Sequence, residues 1–242
     1  MTNYLGGKAR LGKAIADFLS RIGPAETYYW EPFVGMCGTM RHMQHYRNRL
    51  GTDLHGELIC MWQAVQKGWT PPERVTEAEY MKIKNHPEDF APELRGFVAH
   101  AVTFNGRYFG SFRDPTGQIC ERARRNVLKC KPAVQDTHFM QGNYLAMSVP
   151  SHVPCLIYCD PPYADVAERR LGATKAFDHE VFWHWVRHMS RMENRTVVVS
   201  EVSAPDDFIC VWTDPHKPKY GKNKTKPDRL FMLNPSLLSK EK

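Results

Sequence analysis

The chain has 242 residues, 42% hydrophobic and 24% charged, which gives enough material for one sizeable core and excludes a disordered or fibrous polypeptide. Lys and Arg total 33 against 26 Asp and Glu, a net charge of +7 that favours an anionic partner such as nucleic acid. Seven cysteines, an odd number without a C-x-x-C pair, exclude a regular disulfide framework or zinc site and lead us to expect reduced thiols in a cytoplasm. The start lacks a basic stretch followed by an apolar core, and the uncharged stretch 138–159 carries too many prolines, serines and histidines to span a membrane, so no membrane partner is expected.

In chain order, Asn3-Tyr4-Leu5-Gly6-Gly7-Lys8 precedes Leu11, Ile15, Phe18 and Leu19, the spacing of an amphipathic helix. A glycine loop that opens a helix lets a ligand approach the backbone, with Lys8 offering a donor; an ordinary N-terminal turn fits as well. Tyr28 to Gly38 reads as an aromatic strand ending in a glycine turn at Phe33-Val34-Gly35, and the composition of 39–46 predicts that the turn leads into a helix. Eighteen residues beyond Gly35 stands Asp53, about the distance at which an acid accepts from ribose hydroxyls in dinucleotide folds. No G-x-G-x-x-G is present, so the expected cofactor is a nucleoside without phosphates, S-adenosylmethionine being the obvious candidate.

Leu58, Met61, Trp62 and Val65 form a helical core stripe, Thr76 with Glu79 predicts a capping box, and Leu94, Phe97, Val98, Ala101 and Val102 form another stripe. Helical spacing then fails at 103–113, where Asn105, Arg107, Tyr108 and Arg113 interleave bases with aromatics around an Asn-Gly turn. Such a mixture suits phosphate contact and base stacking, although a loop packing its own aromatics fits too. Residues 121–131 add Arg122, Arg124 and Arg125 to two lysines, a polyanion-binding face or a solvated helix. A strand at 138–144 closes on Asn143 and Tyr144, either of which can face a cofactor adenine or simply make a turn.

Leu156 to Cys159 is a short apolar run that stops at Asp160-Pro161-Pro162-Tyr163. Each proline removes a backbone donor, so the stiff turn offers one carboxylate and bare acceptor carbonyls, with an aromatic face close by. That set suits a planar ring with an exocyclic amino group. Phe182, Trp185, Val186 and Met189 predict a helix, 196–200 a strand, and 208–213 with 229–233 a terminal hairpin. The lysines between those last strands, Lys222 and Lys224 among them, are placed to touch phosphate. His184 and His188 lie four apart, but no Glu or Cys completes a ligand set, so no metal is expected.

Taken together, Asn-Tyr-Leu-Gly-Gly-Lys, Glu-Pro-Phe-Val-Gly, the Asp of Gly-Thr-Asp-Leu and Asp-Pro-Pro-Tyr, in that order, resemble the Dam-type (D12 class) DNA adenine-N6 methyltransferases, especially their compact phage versions. The resemblance implies an α/β fold, a Rossmann-like S-adenosylmethionine-dependent methyltransferase sheet with an antiparallel hairpin among its last strands. It also implies a catalytic domain over 1–59 and 139–242 and a mostly helical target-recognition insert over 60–138. Carried onto this sequence, Tyr4 and Lys8 contact the cofactor, Glu31, Phe33 and Gly35 line it, Asp53 takes its ribose, and Asn143 stands where relatives have an acid near its adenine. Asp160 lies between cofactor and target base; its carboxylate and the Pro161 carbonyl accept the amine hydrogens while Tyr163 stacks on the base. Cys37 departs from the family, whose second glycine falls there, and Asn3 replaces a base-reading lysine. The implied activity is direct methylation of adenine N6 in duplex DNA with the base flipped out, in a bacterial or phage-infected cytoplasm, by a monomer or weak dimer. Cytosine N4 methylation and an inactive DNA-binding relative are the alternatives.

Overall fold

The computed structural model describes residues 8, 10–23, 27–162, 177–214 and 227–237. Its centre is a seven-stranded sheet: β1 (Tyr28–Glu31), β2 (Arg49–Asp53), β3 (Thr137–Gln141), β4 (Cys155–Cys159), β5 (Arg195–Glu201), β6 (Phe208–Thr213) and β7 (Arg229–Leu233), in the order β3-β2-β1-β4-β5-β7-β6. The first five strands run parallel, and β7 lies antiparallel between β5 and β6. Strand order reverses between β1 and β4, which makes this a doubly wound, Rossmann-like sheet with a ligand crevice expected beyond those two carboxyl ends. The terminal hairpin implied by the sequence is present.

A period of two along the central strands feeds two cores. Tyr29, Leu156, Tyr158 and Val198 face one cluster, while Trp30, Ile157, Cys159, Val197 and Val199 face the other. Helix α6 (His179–Arg191) covers the second face with Phe182, Trp185, Val186 and Met189; His184 and His188 point to solvent. Helix α1 (Gly12–Ile22), whose Ile15 and Leu19 are fully buried, covers the first together with α2 (Gly56–Gln66) and α5 (Gln118–Val134). Between α2 and α5 come α3 (Glu77–Asn85), with the Thr76/Glu79 capping box in place, and α4 (Pro92–Ala101). The apolar faces of α3, α4 and α5 join the core of α1 and α2, so segment 60–138 shares one continuous interior with the sheet. Among the described residues no helix is long and apolar enough to cross a membrane.

One predicted element is absent. Residues 39–46 form only a 3-10 turn, Met40–His42, not a helix. Gly35 and Cys37 adopt φ of +46° and +54°, which breaks any helical path just upstream, and the buried side chains of Met40, Met43 and Tyr46 tie the remainder into the core residue by residue. The Tyr46 hydroxyl donates to the Gly23 carbonyl (2.9 Å).

Candidate active site

The parallel register brings the ends of β1, β2, β3 and β4 to one edge of the sheet, so Glu31, Asp53, Gln141 and Asp160 end four adjacent strands there. β4 is buried at all five positions and stops where Pro161, which has no N–H, cannot extend the ladder. Asp160 thus stands half-buried at the reversal of strand order, next to buried Pro161 and half-buried Pro162. Its Oδ1 pairs with Nζ of buried Lys8 at 2.7 Å. Lys8 also anchors α1, its carbonyl accepting from Gly12 N at 2.6 Å.

One strand away, Glu31 is buried and accepts a hydrogen bond from the Tyr29 hydroxyl at 2.6 Å. Burial pushes its carboxyl up to about 8, against the pull of the Tyr29 hydroxyl and with a further push from the Asp160 charge. Tyr29 was not read as functional, but it lies two residues before Glu31 and therefore on the same strand face, the one local signal that pairs them.

The glycine turn after β1 is fastened on two sides. Gly35 N donates to Asp53 Oδ2 (2.9 Å) and its carbonyl accepts from Trp62 Nε1 (2.9 Å), which gives a helix residue read only as core a second task. The other oxygen of Asp53 accepts from His55 N at 2.9 Å. Burial raises the Asp53 carboxyl, and these two amides counter it. Each oxygen keeps a further lone pair, so a carboxylate held this firmly can still accept from a vicinal diol. Beside it, Phe33 packs on Tyr144 (5.2 Å between centroids) and on Phe177 (5.8 Å), a residue the sequence did not single out. Asn143 is exposed and spends its Oδ1 on Leu145 N (3.0 Å), while Gly142 N reaches the Asp53 carbonyl (3.0 Å). A buried-edge acid with lone pairs to spare, aromatic faces and an Asn at the next strand end have the shape and polarity that an adenosine moiety would need.

The basic candidates divide. Phe104 is exposed and lies under two guanidiniums, Arg113 at 4.8 Å and Arg107 at 5.7 Å from its centroid. Arg113 also lines an open pocket with Arg74, Thr76 and Phe112. Arg122 is exposed, and Arg125 is exposed but paired with Glu121 at 2.9 Å. Arg124 turns inward, donating to the Pro71 carbonyl (2.9 Å) and facing Glu73. Tyr108 is half-buried against His55 (4.8 Å), with its hydroxyl toward Glu57 (3.3 Å). Tyr4, Tyr163, Lys222, Lys224 and the side chain of Asn105 lie outside the described residues.

Comparison with known proteins adds the following. Residues 4–116 match the family model of D12 class N6 adenine-specific DNA methyltransferases. The crystal structure of SMU.472, a protein assigned as a methyltransferase, complexed with SAH, aligns with 93% of this chain at 10% identity and a TM-score of 0.37. This chain spans 53% of that one. No curated protein matches.

Proposed function

We propose that this chain, which matches the D12 class N6 adenine-specific DNA methyltransferases over residues 4–116, is an enzyme that methylates adenine N6 in duplex DNA. The observation that carries the reading is a half-buried carboxylate, Asp160, on a proline-stiffened strand end at the reversal of strand order, beside an adenosine-shaped set of groups.

S-adenosylmethionine supplies a methyl group on a sulfonium, whose sulfur keeps the electron pair of the breaking bond. Asp53 would hold the ribose hydroxyls, the rings of Phe33 and Tyr144 the adenine with Asn143 at its rim, and Glu31 and Lys8 the polar end. Tyr4 belongs to the same set by its place in the motif.

The target amine is a poor nucleophile because its lone pair is delocalised into the ring. Asp160 and the Pro161 carbonyl would accept its two hydrogens, favouring a pyramidal nitrogen with a directed lone pair. These acceptors are fixed before the reaction, so they stabilise the charge that develops on nitrogen without reorganising. The base must leave the duplex to reach this crevice, and Tyr163 is the residue assigned to stack on it. After transfer the nitrogen loses one proton to water.

Segment 60–138 is assigned to target recognition. Phe104 between Arg107 and Arg113 offers an aromatic surface flanked by phosphate-binding charge, and Arg122 extends that charge along α5. Asn105, Arg125, Lys222 and Lys224 are further candidates for phosphate or base contact.

The test is the purified protein with tritiated S-adenosylmethionine and duplex DNA, followed by nucleoside analysis. N6-methyladenine is the expected product, and Asp160→Ala is expected to reduce its formation at least 100-fold, within the loss seen on removing one fixed electrostatic group. Product at the parental rate in that variant sinks the assignment.

A further inference from the structure

Lys8 faces two carboxylates, one just after β4 and one just before β7. Its Nζ is 2.7 Å from Asp160 Oδ1 and 3.7 Å from Asp228 Oδ1. The three side chains are 5%, 18% and 17% exposed, so solvent screens this cluster only weakly. Asp228 immediately precedes β7, and its carbonyl accepts from Asp214 N at 3.0 Å, which closes the base of the β6–β7 hairpin. The carboxylate of Asp214, itself buried, faces Arg10 at 3.6 Å. Two basic residues before α1 are therefore matched to two acids at the base of the hairpin, and the position of Asp228 is set by paired strands.

We propose that Asp228 is a positioning residue for methyl transfer, sharing Lys8 with Asp160 so that Asp160 stays a strong acceptor for the target amine. The proposal rests on the functional reading given above and names one more residue of the same site. Asp160 and Lys8 alone make a neutral pair, in which the ammonium draws down the acceptor strength of the carboxylate. A second carboxylate on the same ammonium adds a negative charge that offsets part of that draw. Glu31 does not supply that charge at neutral pH, because burial holds its carboxyl up near 8.

Transfer forms a bond from N6 to the methyl carbon and breaks the bond from that carbon to sulfur. The positive charge thereby passes from sulfur to the nitrogen held by Asp160, and the nitrogen then gives a proton to water. Charge moves toward Asp160 during the step, so its acceptor strength weighs more on the transition state than on the bound ground state. Loss of Asp228 should consequently show in kcat and not in binding.

The experiment uses the full chain, duplex DNA and tritiated S-adenosylmethionine. Asp228→Asn is expected to lower kcat about 10- to 100-fold, in the range for a group that tunes a fixed acceptor. Cofactor and DNA dissociation constants should stay within about threefold and Tm should be unchanged, while Asp228→Glu should recover much of the rate. Should Asp228→Asn fail to fold, Asp228→Ser carries the same expectation. A parental kcat in the folded variant overturns the proposal alone, as does a loss that tracks weakened cofactor binding or lowered Tm. A wild-type protein that binds cofactor but methylates no base overturns the functional reading and this proposal together.

Discussion

Glu31 shows how one buried acid can set a pH response. Its carboxyl titrates near 8 in the folded chain against an ordinary value of 4.5, so the folded state holds the proton more tightly. Between those two values the unfolded chain has lost a proton that the native chain keeps, and stability falls as pH rises. The contribution is fully present below about pH 4.5 and is lost as pH climbs through about 8, at a limiting slope of about 1.4 kcal/mol per pH unit. Glu31→Gln removes the titration while keeping the shape and a partner for the Tyr29 hydroxyl. Denaturant midpoints from pH 4 to 9 should therefore show the parental protein losing ground to the variant across that window. A constant difference between the two would mean that Glu31 is ionised when folded.

At the scale of elements, helix packing decides what a substitution does. Gly96 of α4 lies so close to α2 that a Cβ there would stand 2.2 Å from the Glu57 carbonyl oxygen. Alanine favours a helix by about 1 kcal/mol over glycine. Here the added methyl meets backbone, which cannot swing away, and overpacking of that kind costs about 1–3 kcal/mol. Gly96→Ala is expected to lower the urea midpoint, and a raised midpoint would show that α2 and α4 can part freely. The same elements mark what was legible beforehand. The stripes of α2, α4 and α6 and the uninterrupted β4 run follow from periods of 3.6 and 2, which are local properties of the chain. The helix expected over 39–46 is absent because helical composition says nothing of the left-handed backbone at Cys37 that precedes it. Asp228 was overlooked because its partner stands 220 positions earlier, and only the strand order brings them together.

At the scale of the molecule, the net charge of +7 is not spread evenly in its effect. Arg113 and Arg122 are exposed, whereas Arg124 is engaged with the Pro71 carbonyl and Glu73. If the first two meet DNA phosphates, Arg113→Ala and Arg122→Ala should each flatten the dependence of log K on log salt by about 0.9. Arg124→Ala should leave that slope alone and lower thermal stability instead. The measurement is a salt titration of duplex binding by fluorescence anisotropy, and equal slopes for all four proteins would remove these two residues from the interface.

Placing β7 between β5 and β6 has a temporal consequence as well. The carboxylate that shares Lys8 is made only after every other strand of the sheet has been synthesised. A contact between residues 8 and 228 closes a loop of 220 positions and belongs to the slow, non-local class of folding events. The glycine turn, Asp53 and the covering face of α2 can assemble from the first 66 residues, but the full charge arrangement around Asp160 must wait for the last strand. A ribosome-bound chain stalled before Asp228 would thus hold the glycine turn and Asp53 together while Lys8 still lacked its second carboxylate.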